Sequence, residues 1–206
     1  MVADSPVLAG GRASRLEDGC RVCAAPIVDR STAGGHVRVV DASDRARTGL
    51  KGAGVSGWFG SLEFPLPSEV NTALHTAGLV IARLGAEDFL VASTAAAADR
   101  TVRRLEVRFD EARAGLPSTA VRVPRQSGSA CLSFSGSGTA TLLSRMCSLD
   151  LGEAALPDGA VRQTLVAGST ALLVRDGDEL LLFVDASLAA WLADTLVEVA
   201  EALSGT

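Results

Sequence analysis

The sequence predicts an α+β fold made of two consecutive halves of the same kind, and three observations carry the prediction. Hydrophobic residues make up 48% of the 206 and charged residues 21%, so the chain can bury a core. Strand-like apolar runs are followed by helical segments whose apolar residues recur with a period near 3.6. Short patterns also return at fixed spacings. Gly52, Gly54, Trp58, Phe59 and Leu62 fall on Gly136, Gly138, Leu142, Leu143 and Met146 at 84 residues. Arg83, Gly85, Glu87 and Leu90 fall on Arg175, Gly177, Glu179 and Leu182 at 92 residues. The change of spacing places eight extra residues in the second half. Pro157-Asp158-Gly159 is a loop-like place for them.

Three segments are expected. Residues 1–35 are rich in Gly, Ala, Arg and Ser without periodicity and form an N-terminal arm; 36–124 form a first α+β half and 125–206 a second. In the first half, His36–Asp41 and Arg47–Lys51 read as strands. Gly52-Ala53-Gly54 opens a helix carrying Val55, Trp58, Phe59 and Leu62. Phe64-Pro65-Leu66-Pro67 reads as loop, because proline cannot continue a helix. Leu79–Leu84 and Phe89–Ala92 form a hairpin around Gly85-Ala86-Glu87-Asp88. Ser93 or Thr94 caps a helix with the stripe Ala98, Val102, Leu105, Phe109 and Ala112. Thr119–Val123 is a strand that stops at Pro124.

The second half repeats the order. Cys131–Phe134 is a strand, and Gly136-Ser137-Gly138 opens a helix. Leu165-Val166, Ala171–Val174 and Leu180–Val184 are extended. Asp185 caps a last helix with Leu188, Trp191, Leu192, Leu196, Val199 and Leu203. Each half reads β-α-β-β-α, with a further strand completing the first, which is close to the order of a ferredoxin-like unit. Two tandem units of this kind, from an internal duplication, would set helices on one face of antiparallel sheet.

Composition excludes several roles. The net charge is -5, which gives no overall electrostatic footprint for nucleic acid or an anionic membrane. There is no Tyr, and aromatic residues total 4%, which argues against a base-stacking platform. No apolar run approaches the roughly 18 residues of a membrane span. The N-terminus has no basic n-region before an apolar stretch, so a secretory signal is not expected. Cys20, Cys23, Cys131 and Cys147 are then thiols rather than a disulfide framework, and the expected location is cytoplasmic.

The candidate sites each have an ordinary reading beside a chemical one. Gly52-Ala53-Gly54-Val55-Ser56-Gly57 is a literal G-x-G-x-x-G between strand and helix, as in dinucleotide folds. The acidic residue expected about 20 positions on is missing, and the repeat copy lacks the third glycine; a tight strand-to-helix turn used twice accounts for both. Cys20-Arg21-Val22-Cys23 has the spacing of half a zinc site, and His36 follows at zinc-finger distance. Cys20, Cys23 and His36 are the metal candidates, with ordinary thiols as the alternative. Cys131 and Cys147 read as core thiols. His36 and His75 are the two imidazoles, and neither lies in a recognisable catalytic motif. Asp41, Asp44, Asp88 and Asp99 have structural readings: Asp88 in a hairpin turn, Asp99 in a first helical turn. Arg100, Arg103, Arg104 and Arg108 share the polar side of one helix, a solvated face or a dock for an acidic partner. No catalytic or cofactor-binding residue is identified.

The second half carries Ser135-Gly136-Ser137-Gly138, Cys147-Ser148-Leu149-Asp150-Leu151, Leu156-Pro157-Asp158-Gly159, Arg162-Gln163-Thr164-Leu165, Leu172-Leu173-Val174-Arg175, and Trp191-Leu192 in its last helix. On these residues it resembles the gamma subunit of heterotetrameric sarcosine oxidase. The first half is more loosely similar, through Gly49-Leu50-Lys51-Gly52, Leu66-Pro67 with Asn71, and Arg83 to Leu90. The resemblance spans about residues 36–203. It implies a fold related to the glycine-cleavage aminomethyltransferase, and an accessory subunit without catalysis of its own. It implies partners, the alpha, beta and delta subunits. FAD, FMN and NAD would sit in the larger chains that oxidise an N-methyl amine, tetrahydrofolate would receive the one-carbon unit there, and zinc would belong to the delta chain. The catalytic Asp of the aminomethyltransferases has no counterpart that can be mapped here. The alternatives are a stand-alone folate-dependent aminomethyl transfer protein and a small zinc-binding interaction module.

Overall fold

The structure is a computed structural model in which residues 16–17, 20–21, 29–31, 36–152 and 154–204 are described. The chain divides into two compact units. Arg45–Gln126 with Gly159–Val161 make the first, and the remainder makes the second. Among the described residues the sheets are antiparallel, one of six strands and one of five, with a separate two-stranded pair.

The chain starts with the pair β1 (Leu16–Glu17) and β2 (Cys20–Arg21). β3 (Asp29–Ser31) and β4 (Arg38–Asp41) follow. The first unit then runs β5 (Arg47–Lys51), α1 (Val55–Ser61), β6 (Thr72–Thr76), β7 (Leu79–Gly85), β8 (Asp88–Ser93), α2 (Asp99–Ala112) and β9 (Val121–Val123). Its sheet order is β6-β7-β8-β5-β9. Both helices form because one stripe of each is apolar and is buried. Val55, Trp58 and Phe59 of α1 and Val102, Leu105 and Phe109 of α2 join Leu50, Ile81, Phe89 and Val91 of the sheet in one core. Its centre is aromatic: Trp58 meets Phe109 edge-on at 5.0 Å between centroids, and Phe59 meets Phe89 at 5.5 Å.

A short helix, α3 (Arg125–Gly128), leads into the second unit: β10 (Ser129–Ser135), α4 (Thr139–Ser144), β11 (Val161–Val166), β12 (Ser169–Asp176), β13 (Glu179–Asp185) and α5 (Ala189–Ser204). Its sheet order is β11-β12-β13-β10-β4-β3. Element for element, five of its six strand positions, from β11 to β4, match those of the first unit, and β3 is the sixth. The place that β9 takes beside β5 is taken beside β10 by β4, which comes from before the first unit.

Two differences from the sequence expectation have physical causes. The run His36–Asp41, expected to open the first half, holds its strand over Arg38–Asp41 in the second unit's sheet, where Val39 pairs with Phe134 and Val40 with Ser133. The boundary expected after residue 35 accordingly differs from the division after Asp44. Each unit also has one more strand than β-α-β-β-α. β6 in the first unit and β11 in the second are edge strands that hairpin into the strand that follows. The connecting turns are Ala77-Gly78, with φ 47° and 75°, and Ala167-Gly168, with φ 50° and 78°. Positive φ at both central residues suits the right-handed strand twist of a two-residue hairpin. Alanine is an uncommon residue there, so the turn carries no sequence signal.

Candidate functional site

The glycines before each helix are set by close backbone approach. Gly52 has φ 110°, and a Cβ there would lie 1.9 Å from the Thr119 carbonyl oxygen. In the second unit, a Cβ on Gly138, the counterpart of Gly54, would lie 2.8 Å from Val37 Cγ2 and 3.1 Å from the His36 oxygen. In each unit the lead-in of a neighbouring strand fills the space beside the glycine. Gly57, the third glycine of the motif, has no heavy atom within 4 Å of a built Cβ. At the start of α1, Glu87 accepts from Ser56 N–H at 2.8 Å and from Ser56 Oγ–H at 2.5 Å. The helix start is satisfied by a side chain of the same unit.

The other sequence candidates fall on separate elements. Of Cys20 only its place in β2 is described, and Cys23 lies outside the described residues. His36 is exposed before β4, and no group of three metal-ligating side chains occurs among the described residues. His75 is exposed on the edge strand β6. Cys131 and Cys147 are buried free thiols, and Cys147 Sγ lies 3.7 Å from Thr164 Oγ1. Asp41 is buried and accepts from Ser43 N–H at 2.9 Å. Asp88 is the first residue of β8, not a turn residue, and pairs with Lys51 opposite at 3.0 Å. Asp99 opens α2, but its carboxylate also reaches back to accept from Ala46 N–H at 2.9 Å and from the Ser93 hydroxyl. It ties the helix to the ends of β5 and β8.

What the structure does assemble is a cleft of about 690 Å³ in the second unit. Its rim comes from the loop before α4, with Ser137, and from the β12–β13 turn, with Asp178; Leu151 and Leu156 supply apolar wall, and Arg175 and Asp158 supply charge. Asp158 is engaged in the fold, since its Oδ1 accepts from Gly177 N–H at 2.8 Å. Arg175 donates to the Leu156 and Leu151 carbonyls only at 3.4 Å. Its counterpart Arg83 grips harder: it donates to the Ser68 and Ala86 carbonyls at 2.8 Å and to Pro67 at 3.2 Å, and lies 5.6 Å over the Phe89 ring. The same arginine thus clamps its loop in the first unit and stands at a cleft in the second.

The extra residues explain the difference. The spacing between matching positions is 84 at the helices, 90 at the Ala-Gly turns and 92 at Arg83 and Arg175. Six of the eight extra residues therefore fall in the loop after α4 and two in the strand β12. The loop runs through Leu151 and Leu156, where Arg162 Nη2 holds the Ala155 carbonyl at 2.7 Å. A guanidinium, a hydroxyl and carboxylates on an apolar wall suit binding of a small polar molecule. No imidazole or thiol is among the residues that line the cleft; its polar side chains are hydroxyls, carboxylates and one guanidinium. Sequence reasoning used Arg175 and Gly177 as markers of the repeat and passed over their place at a cleft; the eight-residue excess was the available signal.

These features define an α+β chain built of two units with matching strand order. The comparisons with known proteins agree at the level of fold. No protein-family profile and no curated protein sequence matches the chain. Among solved structures, it is similar to a chain of the heterotetrameric sarcosine oxidase from Corynebacterium sp. U-96, solved in complex with pyrrole 2-carboxylate. The TM-score is 0.69 at 19% identity, covering 85% of this chain and 90% of that one. It is also similar to the glycine cleavage system aminomethyltransferase T from Bartonella henselae, with TM-score 0.57 at 17% identity, covering 82% of this chain and 46% of that one. The chain therefore spans about half of the aminomethyltransferase and nearly all of the matched oxidase chain.

Proposed function

We propose that this chain is the non-catalytic gamma subunit of a heterotetrameric, flavin-dependent sarcosine oxidase. The observation that carries the reading is coverage: the fold accounts for 90% of a chain from such an oxidase. The residue patterns from Ser135 to the Trp191 helix support the same assignment. In this reading the chain is cytoplasmic and packs on the large chains, with alpha, beta and delta subunits as its partners. FAD, FMN, NAD and tetrahydrofolate act in those partners, which oxidise an N-methyl amine and pass the one-carbon unit to folate. The two halves arise by internal duplication of a ferredoxin-like unit, which the shared strand order and the paired Ala-Gly turns support.

Deleting the chain from its native cell should lower the amount of assembled oxidase and leave turnover per flavin in the residual enzyme unchanged. An unchanged amount of oxidase would overturn the reading. A second reading, a stand-alone folate-dependent aminomethyl transfer protein, is favoured by the likeness to aminomethyltransferase T. It requires tetrahydrofolate to bind the isolated chain, which calorimetric titration tests. A zinc-binding module on Cys20 and Cys23 requires stoichiometric zinc in the purified protein.

A further inference from the structure

Two helix faces left in solvent carry opposite charge. Burial of Val102, Leu105 and Phe109 fixes the roll of α2, so Arg100, Arg103, Arg104 and Arg108 point outward with Val107, which is 57% exposed. None of these four arginines has an ion pair or hydrogen bond among the described residues. The acids that could neutralise them are drawn elsewhere: Glu106 and Asp110 turn to Arg122 of β9 at 3.3 and 3.0 Å. Glu111, exposed near the helix end, is the acid left on that side. A basic face of this kind stands out on a chain of net charge -5.

On α5, burial of Ala189, Leu192, Ala193, Leu196, Val197 and Ala200 turns Asp194, Glu198 and Glu201 outward. Trp191, 50% exposed, lies beside them, and α5 contains no Lys or Arg. At 1.5 Å per residue, Arg100 to Arg108 extends about 12 Å and Asp194 to Glu201 about 10 Å. The two stripes are similar in length and opposite in sign.

We propose that the chain associates with a second copy of itself, the arginine face of α2 docking on the acidic, Trp191-bearing face of α5. Single exposed ion pairs hold little. A row of them with an apolar anchor is different. Arg guanidinium groups stack on indole faces, Val107 adds apolar contact, and arginine and tryptophan are the side chains that interfaces favour. The two faces are different patches, so the contact is heterologous. It closes into a dimer where a two-fold axis uses it twice or into a larger ring where the rotation between copies closes, and otherwise it grows. The association needs only this chain, so it holds or fails independently of the oxidase assignment.

The test is sedimentation velocity of the full chain across protein concentration at low and high salt. We expect reversible dimers or larger oligomers at low salt, with dissociation at least about tenfold easier at high salt, because exposed charges are screened. R100E/R104E/R108E and D194R/E198R should each be monomeric with wild-type circular dichroism and melting temperature. Mixing these two variants should restore association, since the intact α5 face of one meets the intact α2 face of the other. Where a reversal variant fails to fold, R104Q/R108Q and W191A should still weaken association. A wild-type chain that stays monomeric, association that survives both reversals, or a mixture that stays monomeric would overturn the proposal. Wild-type monomers that use the same arginines on another protein would overturn it too.

Discussion

Gly52 and Gly57 share one glycine motif and have opposite physical roles. Alanine at Gly52 would need positive φ and would meet the Thr119 carbonyl, a combination of strain and overlap that should cost about 3 kcal/mol or more. Alanine at Gly57, on the exposed side of α1 with open space around it, should stabilise by about 0.5–1 kcal/mol. Urea unfolding of the two variants separates these outcomes; equal effects would mean that the motif is not the turn described. Glu87 adds a pH dependence. Burial pushes its carboxyl up, but the hydrogen bonds from the Ser56 hydroxyl and amide, helped by Arg83, outweigh that and hold it below the ordinary 4.5. The charged form is therefore favoured by folding. Its contribution is in place above pH 4.5 and is lost as pH falls through the lowered value. Glu87→Gln should cost about 1 kcal/mol at neutral pH and leave the acid limb of the stability profile shallower than wild type.

At the scale of elements, the helices were the most legible part of the sequence, because their apolar spacing was set by burial. Val102, Leu105 and Phe109 point into the core as their 3.6-residue period requires. Truncating Phe109, which is fully buried beside Trp58, should cost about 3–5 kcal/mol, measured by thermal or denaturant unfolding. The edge strands were not so legible. Thr72–Thr76 carries exposed Leu74 and His75, so it lacks the apolar run of its neighbours, and Ala77-Gly78 is an unusual turn. The cleft was hidden for another reason. Its groups are loop and turn residues brought together by chain length, and only the change in repeat spacing pointed to that loop. Shortening the loop between Leu151 and Leu156 should let Arg175 close on its carbonyls as Arg83 does, a change that a crystal structure of the shortened chain would show.

For the whole molecule, the two units share the order of five strand positions, and the departures lie on one side of the second unit's sheet. The strand beside β10, Arg38–Asp41, comes from before the first unit, and β3 adds a sixth strand outside it. Reading along the chain assigned Arg38–Asp41 to the wrong neighbour, because sequence order carries no record of which edge a strand joins. Function was less legible than fold. The acids, thiols and imidazoles that looked like candidates are spread over separate elements, and the resemblance to an oxidase subunit came from short, non-catalytic patterns. The direct test of the accessory-subunit account is to purify the tagged chain from its native cell and record the masses and the visible absorbance of what elutes with it. The account predicts larger chains in fixed stoichiometry and a flavin spectrum. A colourless eluate containing this chain alone, or only copies of it, would contradict the account.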